Sequence, residues 1–399
     1  MSSRLGNWIA TRHPLGVLVR TGHGMAANNQ MRIVMVGAFP PPLHGMSAVN
    51  AAVHDALRKA GTVPVVINIA APSLDRSLAG RLSRLPLVLR GLGRLAGKGS
   101  LGRGTLYMSA SGGLGQVYEL VFLLLARLRF MRVFIHHHSF SYLSEPNALT
   151  RLIIRVAGNH AVHITQSRGM ARRLQDMYGV ERALAISNAV FLVDEDPGDM
   201  TLRESVKVLG FISNIAPEKG IFEFLDLMAA ADAAEFRCCG RVAGPFQDSE
   251  TERAVRERLR SLPNVEYLGP QYGAAKDAFY AGIDVLVFPT RYDNETEGIV
   301  NHEAMSRGIP VIAYGRGCIP EIVGSEGGLV IDPTKPFVPT ALAQLGRWLG
   351  EPAAFRAVSK TAAKRFVSTY DENKDRWSAL LAVLIGTHVR ADGADGERL

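Results

Sequence analysis

The sequence predicts an α/β protein made of two doubly wound parallel sheets that face one another across a central cleft. Three observations predict it. Short, β-branched apolar runs alternate with helical stretches from residue 31 onward, an acid-rich, proline-containing stretch at 191–204 interrupts that rhythm once, and the rhythm then restarts. At roughly 150 residues per domain, 399 residues suit two lobes that each bury a core.

The first lobe is expected over 31–190. Met31–Ala38 reads as a strand, Phe39–Gly45 as a proline-stiffened turn and Ser47–Ala60 as a helix. Val63–Ile69, Gly104–Ser109, Arg132–His136, Val162–Gln166 and Ala183–Ile186 read as further strands, with a helix over Tyr118–Arg129. Beyond a linker at 191–205, the second lobe is expected over 206–360. Its strands are Val206–Ile212, Glu235–Cys239, Val265–Leu268, Asp284–Pro289, Pro310–Ala313 and Gly328–Ile331. Helices over Gly220–Ala230, Ser249–Ser261 and Thr296–Arg307 separate them. A last helix, about Thr361–Leu384 within 361–386, follows the second sheet and is expected to cross back to the first lobe, with a polar tail over 387–399. Residues 1–30 hold Arg4, Arg12 and Arg20 without an acid and read as a disordered basic extension.

Composition excludes collagen, a disordered tail and a coiled coil, since 47% of residues are hydrophobic and 21% charged. Cys238, Cys239 and Cys318 make no disulfide framework, which points to a reducing cytoplasm. The longest apolar run, Leu120–Ala126, is followed by Arg127 and Arg129 and falls far short of the ~20 residues a membrane span needs. The net charge of +8 hides a split: residues 1–188 carry 22 Lys and Arg against 6 Asp and Glu, residues 189–399 carry 23 against 31. A basic first half makes nucleic acid, an anionic membrane or a phosphorylated substrate the candidate partners, and of these nucleic acid is not the one expected here. Residues 76–118 are basic without an acid, and Leu78, Leu82, Leu85, Leu89 and Leu92 recur there at helical spacing. This predicts contact with anionic lipid through Arg81, Arg84, Arg90 and Arg94.

The most informative segment is 285–322. A strand ends near Pro289, a polar loop carries Glu295, and a helix from about Thr296 places Gly298, Ile299 and Val300 in its first turn and Glu303 in its second. Free amides at a helix start favour a diphosphate, and a glycine there permits close approach. A carboxylate one turn later can accept hydrogen bonds from two ribose hydroxyls, which suits Glu303. Glu295 stands where a sugar attached to the diphosphate would lie. In Gly210–Gly220, Lys219 at a helix start can set a point charge against the diphosphate.

At these residues the chain resembles glycosyltransferase family 4, the retaining sugar transferases of GT-B architecture, as found in bacterial cell-surface polysaccharide assembly. The Glu-x7-Glu signature maps to Glu295 and Glu303, and Gly308-Ile-Pro-Val and Gly317-Cys-Ile-Pro-Glu321 follow in the family's order, with Cys318 where a second glycine is usual. The resemblance implies that Glu295 lies at the donor sugar and Glu303 at the nucleotide ribose. It implies that Lys219, Asn214, Gly298, Ile299, Val300 and Gly45 also hold the donor, and that His138 lies near the sugar. Asn214 stands where the family usually has Arg, and Arg291, in the loop beside Glu295, either compensates or merely faces solvent. The implied substrates are a nucleotide diphosphate sugar and a glycan or lipid-linked acceptor, at the inner face of the cytoplasmic membrane. Epimerisation of a nucleotide sugar, or donor binding without turnover, are the alternatives.

No metal or other cofactor is expected. His136, His137 and His138 alternate between the two faces of a strand and cannot close on one ion. Asp194-Glu195-Asp196 falls in the linker, away from any strand end. The turn GAFPPPLHG after the first strand lacks the Gly-x-Gly-x-x-Gly of dinucleotide enzymes.

Overall fold

The computed structural model describes residues 32–70, 84–97, 104–129, 131–192 and 202–386. The basic extension, Arg76, Arg81, Lys98, Arg103, the acidic triplet at 194–196 with most of the linker, and the polar tail lie outside the described residues.

The N-terminal lobe runs β1 (Ile33–Gly37), α1 (Gly45–Lys59), β2 (Val65–Asn68), α2 (Leu85–Ala96), β3 (Thr105–Ala110), α3 (Gly115–Leu128), β4 (Arg132–His137), α4 (Ser141–Ser144), α5 (Ala148–Ala157), β5 (Val162–Thr165), α6 (Arg168–Tyr178) and β6 (Ala183–Ala185). Its six strands are all parallel, in the order β2-β1-β3-β4-β5-β6. The C-terminal lobe runs β7 (Val208–Ile212), α7 (Ile221–Ala233), β8 (Cys239–Ala243), α8 (Ser249–Arg260), β9 (Val265–Tyr267), α9 (Ala274–Ala281), β10 (Val285–Phe288), α10 (Ile299–Met305), β11 (Val311–Tyr314), α11 (Ile319–Val323), β12 (Gly328–Ile331), α12 (Phe337–Gly350) and α13 (Pro352–Ile385). Its parallel order is β12-β11-β10-β7-β8-β9. Helices cover both faces of each sheet, so β1, β3 and β10 are buried along their whole length, as their unbroken apolar runs require.

Each lobe has its own core, and a third cluster joins them: Phe140, Leu143 and Met170 pack with Ile309, Cys318 and Ile322. The long helix α13 ties the assembly together. Phe355 enters the C-terminal core, Phe366 the joining cluster, and Leu380 and Leu384 pack with Ile33 and Met35 of β1.

Three elements differ from their predicted bounds. The strand expected at 235–239 lies at Cys239–Ala243, because Glu235 adopts a φ of 57° and the Phe236 amide donates back to the Ala231 carbonyl, closing the end of α7. The helix expected at Thr296–Arg307 is only Ile299–Met305, so Gly298 is its N-cap and not part of its first turn. The last helix starts nine residues early, with Pro352 in its first turn, where a missing N–H is harmless.

Candidate functional site

The carboxyl ends of β7 and β10 bring Lys219 and Glu295 together. After β7 the chain makes a short 3-10 turn, Pro217–Lys219, which aims the lysine across the end of β10. There the Lys219 ammonium lies 2.6 Å from Glu295 Oε2 and 4.3 Å from the centre of the Tyr292 ring. Thr290 Oγ1 donates to the same carboxylate oxygen at 3.4 Å. Lys219 and Glu295 are mostly buried, so this pair is screened far less than a surface ion pair.

The first turn of α10 follows. Gly298 has φ +60°, and a Cβ there would stand 2.6 Å from Phe288 Cε1, so only glycine fits. Ile299 and Val300 are the first two helical residues, and their amides have no intrahelical acceptor. One turn on, Glu303 is buried, bonded by Lys276 to Oε1 and by the Tyr280 hydroxyl at 2.7 Å to Oε2. Lys276 and Tyr280 come from α9, and no motif pointed to them.

The N-terminal lobe supplies the other wall. His44, not Gly45, caps α1: its Nδ1 accepts from the Ser47 amide while Ser47 Oγ accepts from the His44 amide. Gly45 opens the helix, exposed, with nothing within 4 Å of where a Cβ would be, so its identity leaves approach open but is not required by the fold. His44 is pushed down to about 4 by burial and by the charges of Arg84 and Lys219, which brings the two lobes' cations to one place. Arg84, expected at a lipid surface, therefore faces this cleft. Its Nε is buried without a partner, and its charge also opposes the burial that raises the Glu119 carboxyl to about 7.

The three histidines separate as strand geometry requires. His137 points into the core, bonded to Tyr142 and to His163. His136 and His138 share the opposite face with ring centres 4.2 Å apart. His136 is held by the Tyr107 hydroxyl at 2.6 Å, whereas His138 stands at the strand's end, with Gln166 3.4 Å from Nδ1 and no hydrogen-bond partner for Nε2. Burial, with the charges of His136 and His44, holds His138 well below the usual histidine range, so it is a neutral imidazole at physiological pH.

Two expected roles look different in the structure. Arg291 does not turn toward Lys219: it donates to the Tyr314 hydroxyl and the Pro333 carbonyl and lies over the Tyr314 ring. The side chain of Asn214 is half-buried and makes no hydrogen bond among the described residues; its carbonyl accepts from the Ser213 hydroxyl.

Polar links among the described residues cross between the lobes. Ser139 Oγ donates to Asn294 Oδ1 at 2.7 Å. The Glu321 carboxylate accepts from Ser167 Oγ and from the Gly169 amide at the start of α6. The fully buried Glu297 accepts from the Asn188 amide at 2.8 Å and lies 3.4 Å from His302, which in turn approaches Ser187 Oγ.

The class of protein follows from this arrangement. Two facing six-stranded sheets, with the polar site at strand carboxyl ends between them, are the GT-B fold. Structures sharing it include HepE of Anabaena in complex with UDP (TM-score 0.63, 17% identity, 88% of this chain and all of that one) and WaaG, a glycosyltransferase involved in lipopolysaccharide biosynthesis (TM-score 0.59, 16% identity, 89% and all). Residues 193–362 match the family model described as glycosyl transferases group 1. The chain is similar to a D-inositol 3-phosphate glycosyltransferase of Corynebacterium glutamicum, 31% identical over 137 residues. It is also similar to a GDP-mannose-dependent alpha-mannosyltransferase of Mycolicibacterium smegmatis, 32% identical over 127 residues. Each match covers about a third of either chain.

Proposed function

We propose that the chain transfers a hexosyl group from a nucleoside diphosphate sugar to an acceptor hydroxyl with retention of configuration, the acceptor being a lipid-linked glycan at the cytoplasmic face of a membrane. The observation that supports this best is the Lys219–Glu295 pair at the carboxyl end of β10, with Glu303 eight residues on in α10. A diphosphate at the Gly298 turn meets the Ile299 and Val300 amides and the Lys219 ammonium. The ribose hydroxyls compete with Lys276 and Tyr280 for Glu303. On this reading the sugar lies between Glu295 and the His138 Nε2.

In the transfer, the bond from the anomeric carbon to the diphosphate oxygen breaks while the bond to the acceptor oxygen forms on the same face. The acceptor's proton passes to the departing phosphate oxygen. Lys219 then offsets the charge that develops on the diphosphate, Glu295 the positive charge on the sugar, and neutral His138 orients a sugar hydroxyl. These are groups fixed before the reaction, which is where such stabilisation is largest. Arg84 gives the N-terminal wall a positive charge beside the neutral His44, suited to an acceptor bearing phosphate.

A nucleotide-sugar panel tests the reading. One donor should raise the melting temperature and, with a phosphorylated polyprenyl-glycan acceptor, release nucleoside diphosphate and form a glycosylated acceptor with the donor's anomeric configuration. Donor binding with interconversion of the free nucleotide sugar and no acceptor dependence would instead mark an epimerase. Binding without release would mark a protein that has lost turnover.

A further inference from the structure

The outer face of the N-terminal lobe carries a surface that the cleft does not use. Helix α3 packs between α2 and α5: Gln116 Nε2 donates to Thr150 Oγ1 at 2.9 Å, and Gly91 of α2 lies so close to Phe122 that a Cβ would be 2.9 Å from its ring. The inner side of α3, with Phe122, Leu123 and Ala126, is core. Its outer side is apolar as well. Leu114, Val117, Val121, Leu124 and Leu128 recur every three or four residues and are 39–75% exposed, a stripe about 20 Å long.

A stripe of this kind normally faces a core or an interface, because a monomer in water exposes large apolar side chains singly. Its flanks are cationic on both sides. Arg90 and Arg94 are exposed on α2, and Arg151 and Arg155 on α5, where with Asn147 and Leu152 they line a cavity of about 330 Å³. The only acid in the three helices, Glu119, is buried and turned inward to Ser111. A second copy of the chain would bring arginines against arginines, whereas an anionic surface meets them with opposite charge. No helix among the described residues is long and apolar enough to cross a membrane, so the stripe can lie on a bilayer but not span it.

We propose that this face docks on an anionic lipid bilayer, with the α3 stripe entering the headgroup boundary and the α2 and α5 arginines holding lipid phosphates on either side. The surface differs from that expected from the sequence alone: Arg84 belongs to the cleft, and the apolar contact comes from α3. The inference stands apart from the proposed transfer reaction.

Vesicle co-sedimentation of the full chain tests it, with phosphatidylcholine vesicles compared with vesicles containing 30% phosphatidylglycerol. The protein should pellet with the anionic vesicles at least ten-fold better, and 0.5 M salt should release much of it. Replacing Arg151 and Arg155 by Gln should weaken partition roughly 25-fold, about five-fold per arginine, and Val121→Glu with Leu124→Glu should abolish it. Both variants should keep the wild-type melting temperature and nucleoside diphosphate binding. If the glutamate pair fails to fold, the arginine pair and Leu128→Ser, at the exposed end of the stripe, decide. Equal pelleting with both vesicle types, unchanged binding of the variants, or a wild-type dimer that the glutamate pair dissociates would overturn the proposal. Nucleoside diphosphate binding in the same samples reports on the catalytic reading separately.

Discussion

The Lys219–Glu295 pair allows a double-mutant cycle that separates architecture from catalysis. At 2.6 Å, with both side chains mostly buried, the direct attraction at an effective dielectric of about 20 is roughly 6 kcal/mol. Desolvation of the two charges offsets much of this, and a charge-assisted hydrogen bond of this kind contributes about 1.5–3 kcal/mol net. Lys219→Met should therefore lower stability by about 2–3 kcal/mol, because it leaves the Glu295 carboxylate buried without its cation. Adding Glu295→Gln should recover most of that loss, a coupling of about 2 kcal/mol measured by denaturant unfolding. Activity should not follow stability. If the ammonium faces the leaving diphosphate and the carboxylate the sugar, each single variant should lose about 10²–10³ in kcat, comparable to removing one preorganised donor from a transition-state site. The double variant should be as slow as the slower single one. A double variant that regains turnover together with stability would show that the pair only braces the end of β10, and the assignment of both roles would fall.

Other consequences can be checked directly. Glu303→Gln should weaken nucleoside diphosphate binding 10–100-fold by calorimetry, from the loss of charge-assisted bonds worth about 1.5–3 kcal/mol. Gly298→Ala should cost about 1–3 kcal/mol of stability from its positive φ alone, with nucleotide affinity falling too, because the Cβ pushes on Phe288. Acidification should destabilise the N-terminal lobe. His136 and His163 are held down to about 3 and about 4 by burial, below the unfolded value of 6.5. Their contribution is thus present above pH 6.5 and lost toward pH 4, about 2 kcal/mol each between pH 7 and 5. Glu119, raised to about 7, acts in the opposite sense, stabilising below pH 4.5 and losing that contribution as pH rises through 7. Glu119→Gln should therefore steepen the acid loss by about 2 kcal/mol in unfolding curves at pH 7 and 5. Since Lys219 and helix amides are assigned to the diphosphate charge, turnover should survive EDTA; abolition restored by magnesium would contradict that assignment.

The sequence was most legible where chemistry and periodicity coincide. Unbroken apolar strands such as β1 and β10 were visible because a strand covered on both faces needs no polar alternation, and Glu295 and Glu303 because both follow one strand end. Strand β8 was legible only in part: the sequence suggests it at Glu235–Cys239, and pairing with β7, which sets Cys239 opposite Val208, fixes where it begins. Lys276 and Tyr280 were invisible for a different reason. Their importance lies in reaching Glu303 from α9, a contact across 27 and 23 positions that topology creates and local spacing does not encode. Arg84 and the α3 stripe show the same limit at the surface: helical periodicity gives the faces of a helix, and only its packing neighbours decide which face points outward.

One stretch, Thr290–Glu303, connects the site to the arrangement of the lobes. Within it Glu295 and Glu303 bond to Lys219 and Tyr280 of their own lobe, while Asn294 and Glu297, their sequence neighbours, reach Ser139 and Asn188 of the other lobe. The two sets alternate along a loop whose path is pinned by the Gly298 turn and by the Cys318 amide donating to the Thr296 carbonyl. On the proposed reading, a diphosphate that draws Lys219 from Glu295 would act on the residue next to Asn294, whose side chain accepts from Ser139 across the cleft. Donor binding could then bias the relative position of the two walls only so far as it favours one arrangement of this short segment over another.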